Sequence, residues 1–324
     1  MGNVAVLGAT GFIGTAVIDR LRAVDRPFFT VPAPRLHWAG PLPRSLGRES
    51  PTLGRREVSE LAAKLAGAEV VINAAGMAVA DAPPSSALFG ANAVLPLLVA
   101  KAAAVAGVRR LIHVSSISVQ ANQRLDESSR TAPFSAYSLS RALGEQFLLN
   151  EGDIDAVIYR PAGIHGPQQS NTKAIVRIAR SPLACVAGDG SNPTPQALVE
   201  ETADALVFIG GLPGELPRIL LHPPNGMTTG ALLRLLGERE PRHLPYRATR
   251  MAVAGLVRCT RANIRAHSQA RRLEMLLCGR DQAATWLAAN GFAPTIDIAA
   301  WRRLAATISR HSGSPPRAGF GAGR

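Results

Sequence analysis

Cysteine is scarce in this chain: Cys185, Cys259 and Cys278 are its complement of three. An odd, widely spaced set excludes a disulfide framework and a thiolate zinc site, and a reducing, cytoplasmic setting is the expectation. The seven histidines are equally scattered, with no pair at metal-ligand spacing, so no metal is expected. Aromatic residues make up only 5%. Alanine, valine, leucine and isoleucine must therefore build the core, which suits helices packed on a parallel sheet. Charged residues are 18% against 47% hydrophobic, a balance that excludes global disorder. No long apolar run is free of breakers. The longest, Ala91–Val108, contains Asn92, Pro96 and Lys101 and reads as a packed helix rather than a membrane span. The apolar run Val4–Leu7 is too short for a secretory signal, and Val6 stands where N-myristoylation needs Ser or Thr.

The net charge is +13. Such a surplus draws an anionic ligand toward a cleft. No basic–aromatic interleaving or helix-turn-helix pattern accompanies it, so no nucleic-acid partner is expected. A solvated arginine-rich surface is the plain alternative.

At 324 residues the chain suits one large domain or two closely joined lobes. Its first half alternates short apolar runs with longer amphipathic ones. Strands are predicted at Val4–Leu7, Phe28–Val31, Val70–Asn73, Leu111–Ser115 and Ala156–Tyr159. Helices are predicted at Ile13–Leu21, Glu57–Leu65, Ser86–Ala106 and Ala136–Asn150. Parallel strands need crossover helices, so the alternation predicts an α/β fold with helices on both faces of the sheet. After Arg160 the turn-rich stretches 188–195 and 223–230 bracket a helix at Val199–Ile209 and a strand at Arg218–Leu221. From Met227 onward the chain reads as mostly helical. The Gly/Pro/Ser/Arg tail, 313–324, has little to bury and is expected to be disordered.

Gly8-Ala-Thr-Gly11-Phe-Ile-Gly14 follows the first predicted strand and opens the first predicted helix. In that context the triplet is a dinucleotide-binding fingerprint. Gly8 permits the tight turn, Gly11 lets a pyrophosphate approach the backbone, and Gly14 lets the helix sit close to the strand. Unpaired N–H groups at the helix start, from Phe12 and Ile13 onward, then face the phosphates. The predicted architecture is a Rossmann-type, doubly wound parallel sheet over residues 1–167, with 196–222 returning to it. A smaller, mostly helical substrate lobe is expected from 168–195 and 223–312. A NAD-binding second strand usually ends in an acid for the ribose hydroxyls. Here it runs into Pro32-Ala33-Pro34-Arg35, where Arg35 can face a 2′-phosphate or simply solvent. Arg44, Arg48 and Arg55 compete for that role, and the cofactor is left as NAD or NADP.

Further landmarks carry a resemblance. Ala68-Glu-Val-Val-Ile-Asn-Ala-Ala75-Gly76 ends in small residues, and Asn92 lies early in the long helix. Gly107-Val-Arg-Arg-Leu-Ile-His-Val-Ser-Ser116 ends a strand in serines. Tyr137-Ser-Leu-Ser-Arg141 and Arg160-Pro-Ala-Gly-Ile-His-Gly-Pro167 follow. In order and spacing these are similar to the extended short-chain dehydrogenase/reductases, the NAD-dependent epimerase/dehydratase group. The second half resembles that family only in outline, at Gly188-Asp-Gly190 and Asn290-Gly-Phe-Ala-Pro294. The resemblance implies Ser116, Tyr137 and the residue at 141 as catalytic. It adds Ala74, Ala75, Asn92, Val114, Pro161 and Ile164 to the glycine turn as cofactor contacts. It also implies a homodimer through the helices Ser86–Ala106 and Ala136–Asn150.

The chemistry is consistent with those residue types. A tyrosine hydroxyl, with an ordinary pKa of about 10, can move a substrate proton when a nearby cation stabilises its phenolate. Tyr137 and Arg141 are four apart and share a helix face, and Ser116 can polarise the same substrate oxygen. Three departures from the family stand out. Arg141 replaces the motif lysine, keeping the charge but not the geometry and releasing no proton. Gly54 stands where a third strand often carries an aspartate for adenine. Gly163 stands where nucleotide-sugar epimerases often carry asparagine.

Between Tyr246 and Asp281 lie eight arginines, at 247, 250, 258, 261, 265, 271, 272 and 280, against Glu274 and Asp281. Val253, Leu256, Val257 and Ile264 supply an apolar stripe at near-helical spacing, and such a helix can close over an anionic substrate, lie on an acidic membrane face, or pack that stripe on the core with its arginines in solvent. The favoured expectation is an NAD(P)-dependent epimerase/dehydratase-type oxidoreductase acting on a nucleotide-activated sugar. An NADPH-dependent ketoreductase of a small non-sugar carbonyl and a catalytically silent NAD(P)-binding regulator are the alternatives.

Overall fold

The computed structural model describes residues 2–79, 82–121, 124–152 and 154–312; the tail 313–324, expected to be disordered, lies outside them. The chain begins β1 (Asn3–Leu7), α1 (Phe12–Ala23), β2 (Phe28–Val31), α2 (Arg55–Leu65) and β3 (Ala68–Asn73). Next come α3 (Ser86–Phe89), a π-helical turn (Gly90–Val94), α4 (Leu95–Val105) and β4 (Arg110–Val114). A 3₁₀ turn (Ile117–Gln120), α5 (Ala136–Asn150) and β5 (Asp155–Arg160) follow. The remainder runs β6 (Gly163–His165), α6 (Ser170–Arg180), β7 (Cys185–Ala187), β8 (Gln196–Leu198), α7 (Val199–Gly211) and β9 (Ile219–Leu221). It ends with α8 (Thr229–Gly237), β10 (Arg242–Leu244), α9 (Tyr246–Cys259), α10 (Ile264–Cys278), α11 (Trp286–Ala289) and α12 (Ile298–Ser312).

Six strands form one parallel sheet in the order β2-β1-β3-β4-β5-β9. Strand residues alternate between two buried faces, as the period of two requires. Val4, Val6, Val70 and Ile72 turn toward Val17, Leu21, Leu206 and Ile209 of α1 and α7. Ala5, Leu7 and Val71 turn toward Leu61, Leu65, Leu98 and Val99 of α2 and α4. Both faces are covered, which is why these strands are apolar throughout. A second core joins α6, α8 and α12 around Val176, Leu232, Leu236, Trp301 and Ile308.

Two expectations are corrected. No third strand forms near Gly54. Residues 32–54 hold five prolines, which lack ladder donors, and Gly54 instead precedes α2 as its N-cap. The helix expected over Ser86–Ala106 is interrupted by the π turn at Gly90–Val94. Pro96 has no N–H for the carbonyl of Asn92, four residues back, so regular α-helix cannot run through that turn.

The run Ser86–Val105 is the one helical stretch among the described residues long and apolar enough to cross a membrane, and 78% of its apolar window is buried inside the protein. It is a core helix. The outer surface it shares with α5 is also covered: Trp38, Leu42, Leu46 and Leu53 pack on Phe89, Leu97, Leu143 and Phe147. Gln146 holds this strap, accepting from the Gly47 N–H at 3.1 Å and donating to the Arg48 carbonyl at 2.8 Å. The helices expected to meet a second copy therefore already carry a segment of their own chain.

Candidate functional site

The glycine turn sits at the C-terminal end of β1. Gly8 has φ +80°, and a Cβ there would stand 2.6 Å from the Ala75 nitrogen, so only glycine fits. A Cβ on Gly14 would run into the Gly8 carbonyl oxygen. Gly11 donates to that same oxygen at 2.9 Å. It also N-caps α1 without any side-chain cap, and the first turn has no acid. The first N–H groups of α1 thus face outward with no side chain competing for them, a cradle for phosphate.

Next to this cradle β3 ends in Asn73, whose Oδ1 accepts from the Ala75 N–H at 3.2 Å, while the Ala74 N–H donates to Leu7 at 3.0 Å. These bonds hold Ala74 and Ala75 against Gly8. Gly76 comes next, and a Cβ there would lie 2.7 Å from Arg141 Nη2 and 2.8 Å from Asn92 Oδ1. Asn92 is fully buried in the π turn. Its Oδ1 accepts from the Met77 N–H at 2.9 Å, and its Nδ2 donates to the Met77 carbonyl and to Ser140 Oγ, both at 3.0 Å. A wide turn used to aim a polar side chain is a recurrent feature of functional sites.

Helix α5 brings Tyr137, Arg141 and Glu145 to one face by their four-residue spacing. Ser135 caps the helix and exchanges bonds with Ser138. Arg141, 5% exposed, donates from Nη1 to the Val114 carbonyl at 3.0 Å, and its guanidinium carbon lies 5.6 Å from the centre of the Tyr137 ring. Its Nε is buried without a partner among the described residues. Tyr137 itself is half-buried.

The serines after β4 divide their roles. Ser115 is buried and donates a short bond to Glu145. Ser118 donates to Ser116 from both its N–H, at 3.2 Å, and its hydroxyl, at 2.9 Å. Ser116 Oγ is thereby an acceptor whose own hydrogen remains available, as a substrate-polarising serine requires. Glu145 in turn binds Arg160 at 2.6 Å, both fully buried. Behind them burial, reinforced by the Arg141 charge, lowers the His113 pKa to about 3, so the ring stays neutral. Its Nδ1 lies 3.3 Å from Asn73 Nδ2.

The remaining candidates lie on other segments of the chain. Pro161 is buried and its carbonyl accepts from Ile117 at 3.4 Å; Ile164 is half-buried in β6. The Phe12 ring lies against Gly166, where a Cβ would stand 2.5 Å from it. Arg35, Arg44, Arg48 and Arg55 are all exposed, and no acid occurs between β2 and Glu49. At Gly163 a Cβ would run into Gln196, whose Oε1 lies 2.7 Å from His165 Nε2. Gln196 fills the space that a side chain at 163 would need.

Sequence reading missed four parts of the arrangement. Glu145 is one step further along the Tyr137–Arg141 spacing, a signal that was present. Ser140 and the Gly76 crowding had no sequence signal. Nor did the bracing of the loop after Ser116 by the distant C-terminal half: Arg271 donates to Ala121 at 3.0 Å and Arg280 to Ile117 at 3.4 Å. A separate cavity of about 720 Å³ lies between α7, the turn at Phe292 and α12. It is rimmed by Glu200, Glu201, Asp204, Asp297 and Arg303, and none of the candidate site residues lines it.

The model of the NAD dependent epimerase/dehydratase family matches residues 4–213. The chain belongs to that family. Among curated relatives it is 29% identical over 231 residues to a UDP-glucose 4-epimerase of Mycolicibacterium smegmatis, covering 64% of this chain and 73% of that one. It is 34% identical over 214 residues to a ceramide reductase of Caulobacter vibrioides, covering 64% of this chain and 60% of that one. In fold it is similar to MoeE5 in complex with UDP-glucose and NAD, with TM-score 0.60, 20% identity and coverage of 96% and 100%. It is likewise similar to human epimerase family protein SDR39U1 with NADPH, with TM-score 0.63, 21% identity and coverage of 94% and 99%. This family member therefore has an α/β, Rossmann-type architecture built for a nicotinamide dinucleotide, NAD or NADP.

Proposed function

We propose that this epimerase/dehydratase-family protein is an NAD(P)-dependent oxidoreductase in which Tyr137 carries the substrate proton. The observation that supports this most is the convergence of Arg141 and Asn92 on Gly76, with the Tyr137 ring beside Arg141, one residue beyond the Ala75 that abuts the glycine turn. Gly8, Gly11, Phe12, Ile13 and Gly14 would hold the pyrophosphate, with Ala74 and Ala75 flanking the adenosine half. Arg35 would face a 2′-phosphate. Asn92, Val114, Tyr137, Arg141, Pro161 and Ile164 would surround the nicotinamide end. The uncapped start of α1 and the unpartnered Arg141 Nε fit such an anionic, hydroxyl-bearing ligand. Bound there, the dinucleotide supplies the hydride donor or acceptor.

The chain's own residues do the rest. Ser116 donates its free hydroxyl hydrogen to the substrate oxygen and orients it. Tyr137 gives or takes the proton of that oxygen. Arg141 places its positive charge beside the Tyr137 ring, supporting negative charge on the phenol oxygen, while its bond to Val114 fixes its position. The substrate we favour is a nucleotide-activated sugar, in keeping with the likeness to the UDP-glucose 4-epimerase. A second reading, reduction of a non-sugar carbonyl, draws on Gly163, whose side-chain space Gln196 occupies, and on the likeness to the ceramide reductase.

Tyr137→Phe is expected to lower kcat by at least about a hundredfold with dinucleotide affinity retained, since general acid–base catalysis contributes on that order. Turnover equal to the parent would overturn the assignment. Arg141→Lys separates a weakened enzyme, which gains activity, from a silent binder, which does not. Assaying UDP-glucose beside a long-chain ketone distinguishes the two substrate readings.

A further inference from the structure

Helix α9 presents an apolar surface to solvent. Its buried stripe is thin: Thr249, Val253 and Val257, spaced by four, face the protein, whereas Leu256 and Ile264 of the expected stripe do not. On the opposite side Ala248, Met251, Ala252, Gly255 and Cys259 recur at three- and four-residue steps, and all are exposed. Met251 is 75% exposed, Leu256 43% and, on α10, Ile264 52%. The side of a core-packed helix farthest from the core is expected to be charged; on α9 that side is methionine, cysteine and small residues.

The charges around that face have one sign. From 241 to 273 the chain has eight arginines and no aspartate or glutamate. Arg247, Arg250, Arg258, Arg261 and Arg265 are exposed and have no carboxylate partner among the described residues. By helical position Arg247, Arg250 and Arg258 flank the apolar face on one side. An apolar stripe edged by arginine is the pattern of a helix lying in a membrane interface, where the stems cover apolar surface and guanidinium groups reach phosphate.

We propose that the α9–α10 hairpin is a docking surface for an anionic lipid bilayer. A second copy of the chain would set one arginine-rich face against another. The tail 313–324, with Arg317 and Arg324 and no acid, offers no complement either. Nucleic acid would answer the arginines but leave Met251, Leu256 and Ile264 unused. A bilayer with acidic headgroups satisfies both features. The same hairpin is joined to the segment after Ser116 through the bond from Arg271 to Ala121. The proposal does not depend on which substrate the candidate site takes.

Cosedimentation of the full chain with vesicles tests it. Binding is expected to vesicles of equal parts phosphatidylglycerol and phosphatidylcholine, not to phosphatidylcholine alone, and to weaken with salt. Met251→Glu is expected to weaken binding at least about tenfold, as is Arg247→Glu combined with Arg250→Glu and Arg258→Glu. These positions are exposed, so circular dichroism and melting should match the parent. Absence of binding to the anionic vesicles would overturn the proposal, as would binding that both variants retain. Binding to duplex DNA without vesicle binding, or a concentration-dependent dimer lost on Met251→Glu without vesicle binding, would overturn it in favour of those occupants.

Discussion

Gly14 shows what a single hydrogen in place of a methyl group does here. A Cβ at that position would strike the Gly8 carbonyl oxygen, the same oxygen that accepts from Gly11. Gly14→Ala must therefore push α1 away from β1. We expect it to cost about 1–3 kcal/mol of stability, the range for overpacking a close contact, and to abolish dinucleotide binding by moving the N–H cradle. Thermal melting and an NADH fluorescence titration check the two halves separately. The three glycines were legible in the sequence because their spacing encodes local backbone needs. Gly76 was not, because its crowding comes from Arg141 and Asn92, far away along the chain. Choosing Ser116 over Ser115 from sequence rested on the family resemblance. In the structure Ser115 donates to Glu145.

Helix α5 shows the same division at the scale of an element. Its predicted span, Ala136–Asn150, is the observed one, and the serine that caps its start is a local signal. Its partners were not visible. Glu145 is 1% exposed and pairs with Arg160, 0% exposed, tying α5 to β5 beneath the site. Arg160 also donates to the Ser128 carbonyl at 2.8 Å. Glu145→Ala would leave that guanidinium buried without its carboxylate. A loss of about 3–5 kcal/mol is expected from breaking such a pair, read by urea denaturation, and it should exceed the loss from Arg56→Ala at an exposed pair. The π turn before α4 is the counterexample to local legibility. Ser86–Val105 is still one helical stretch, and the wide turn inside it has no local signal beyond Pro96.

Across the whole molecule, burial sets the pH response. Burial lowers His113 to about 3 and His165 and His222 to about 4, against an ordinary value of 6.5. The unfolded chain then takes up protons that the folded chain refuses. Their contribution is fully present above about pH 6.5 and falls toward about pH 4, by roughly 1 kcal/mol per pH unit for each ring. Glu201 acts oppositely: burial raises it to about 7 from 4.5, so it adds stability as the pH falls between those values. Burial raises Glu127 and Asp204 as well, but from ordinary values of 4.5 and 3.8, so between pH 7.5 and 5 the three histidines leave a net loss on acidification. Urea midpoints measured from pH 7.5 down to 5 should fall steadily, and a flat profile would contradict the buried neutral rings.

The alternation of strand and helix, the glycine turn and the Tyr137–Arg141 spacing were all readable from the sequence, because each depends on residues within a few turns of one another. Only the tertiary structure decided how Asn92, Gly76 and Arg141 meet and that Gln196 occupies the space beside Gly163. The same holds for the strap at 38–53 that covers the outer faces of α4 and α5. Each of those outcomes depends on side chains from separate elements competing for the same volume, and volume is shared only after the chain has folded.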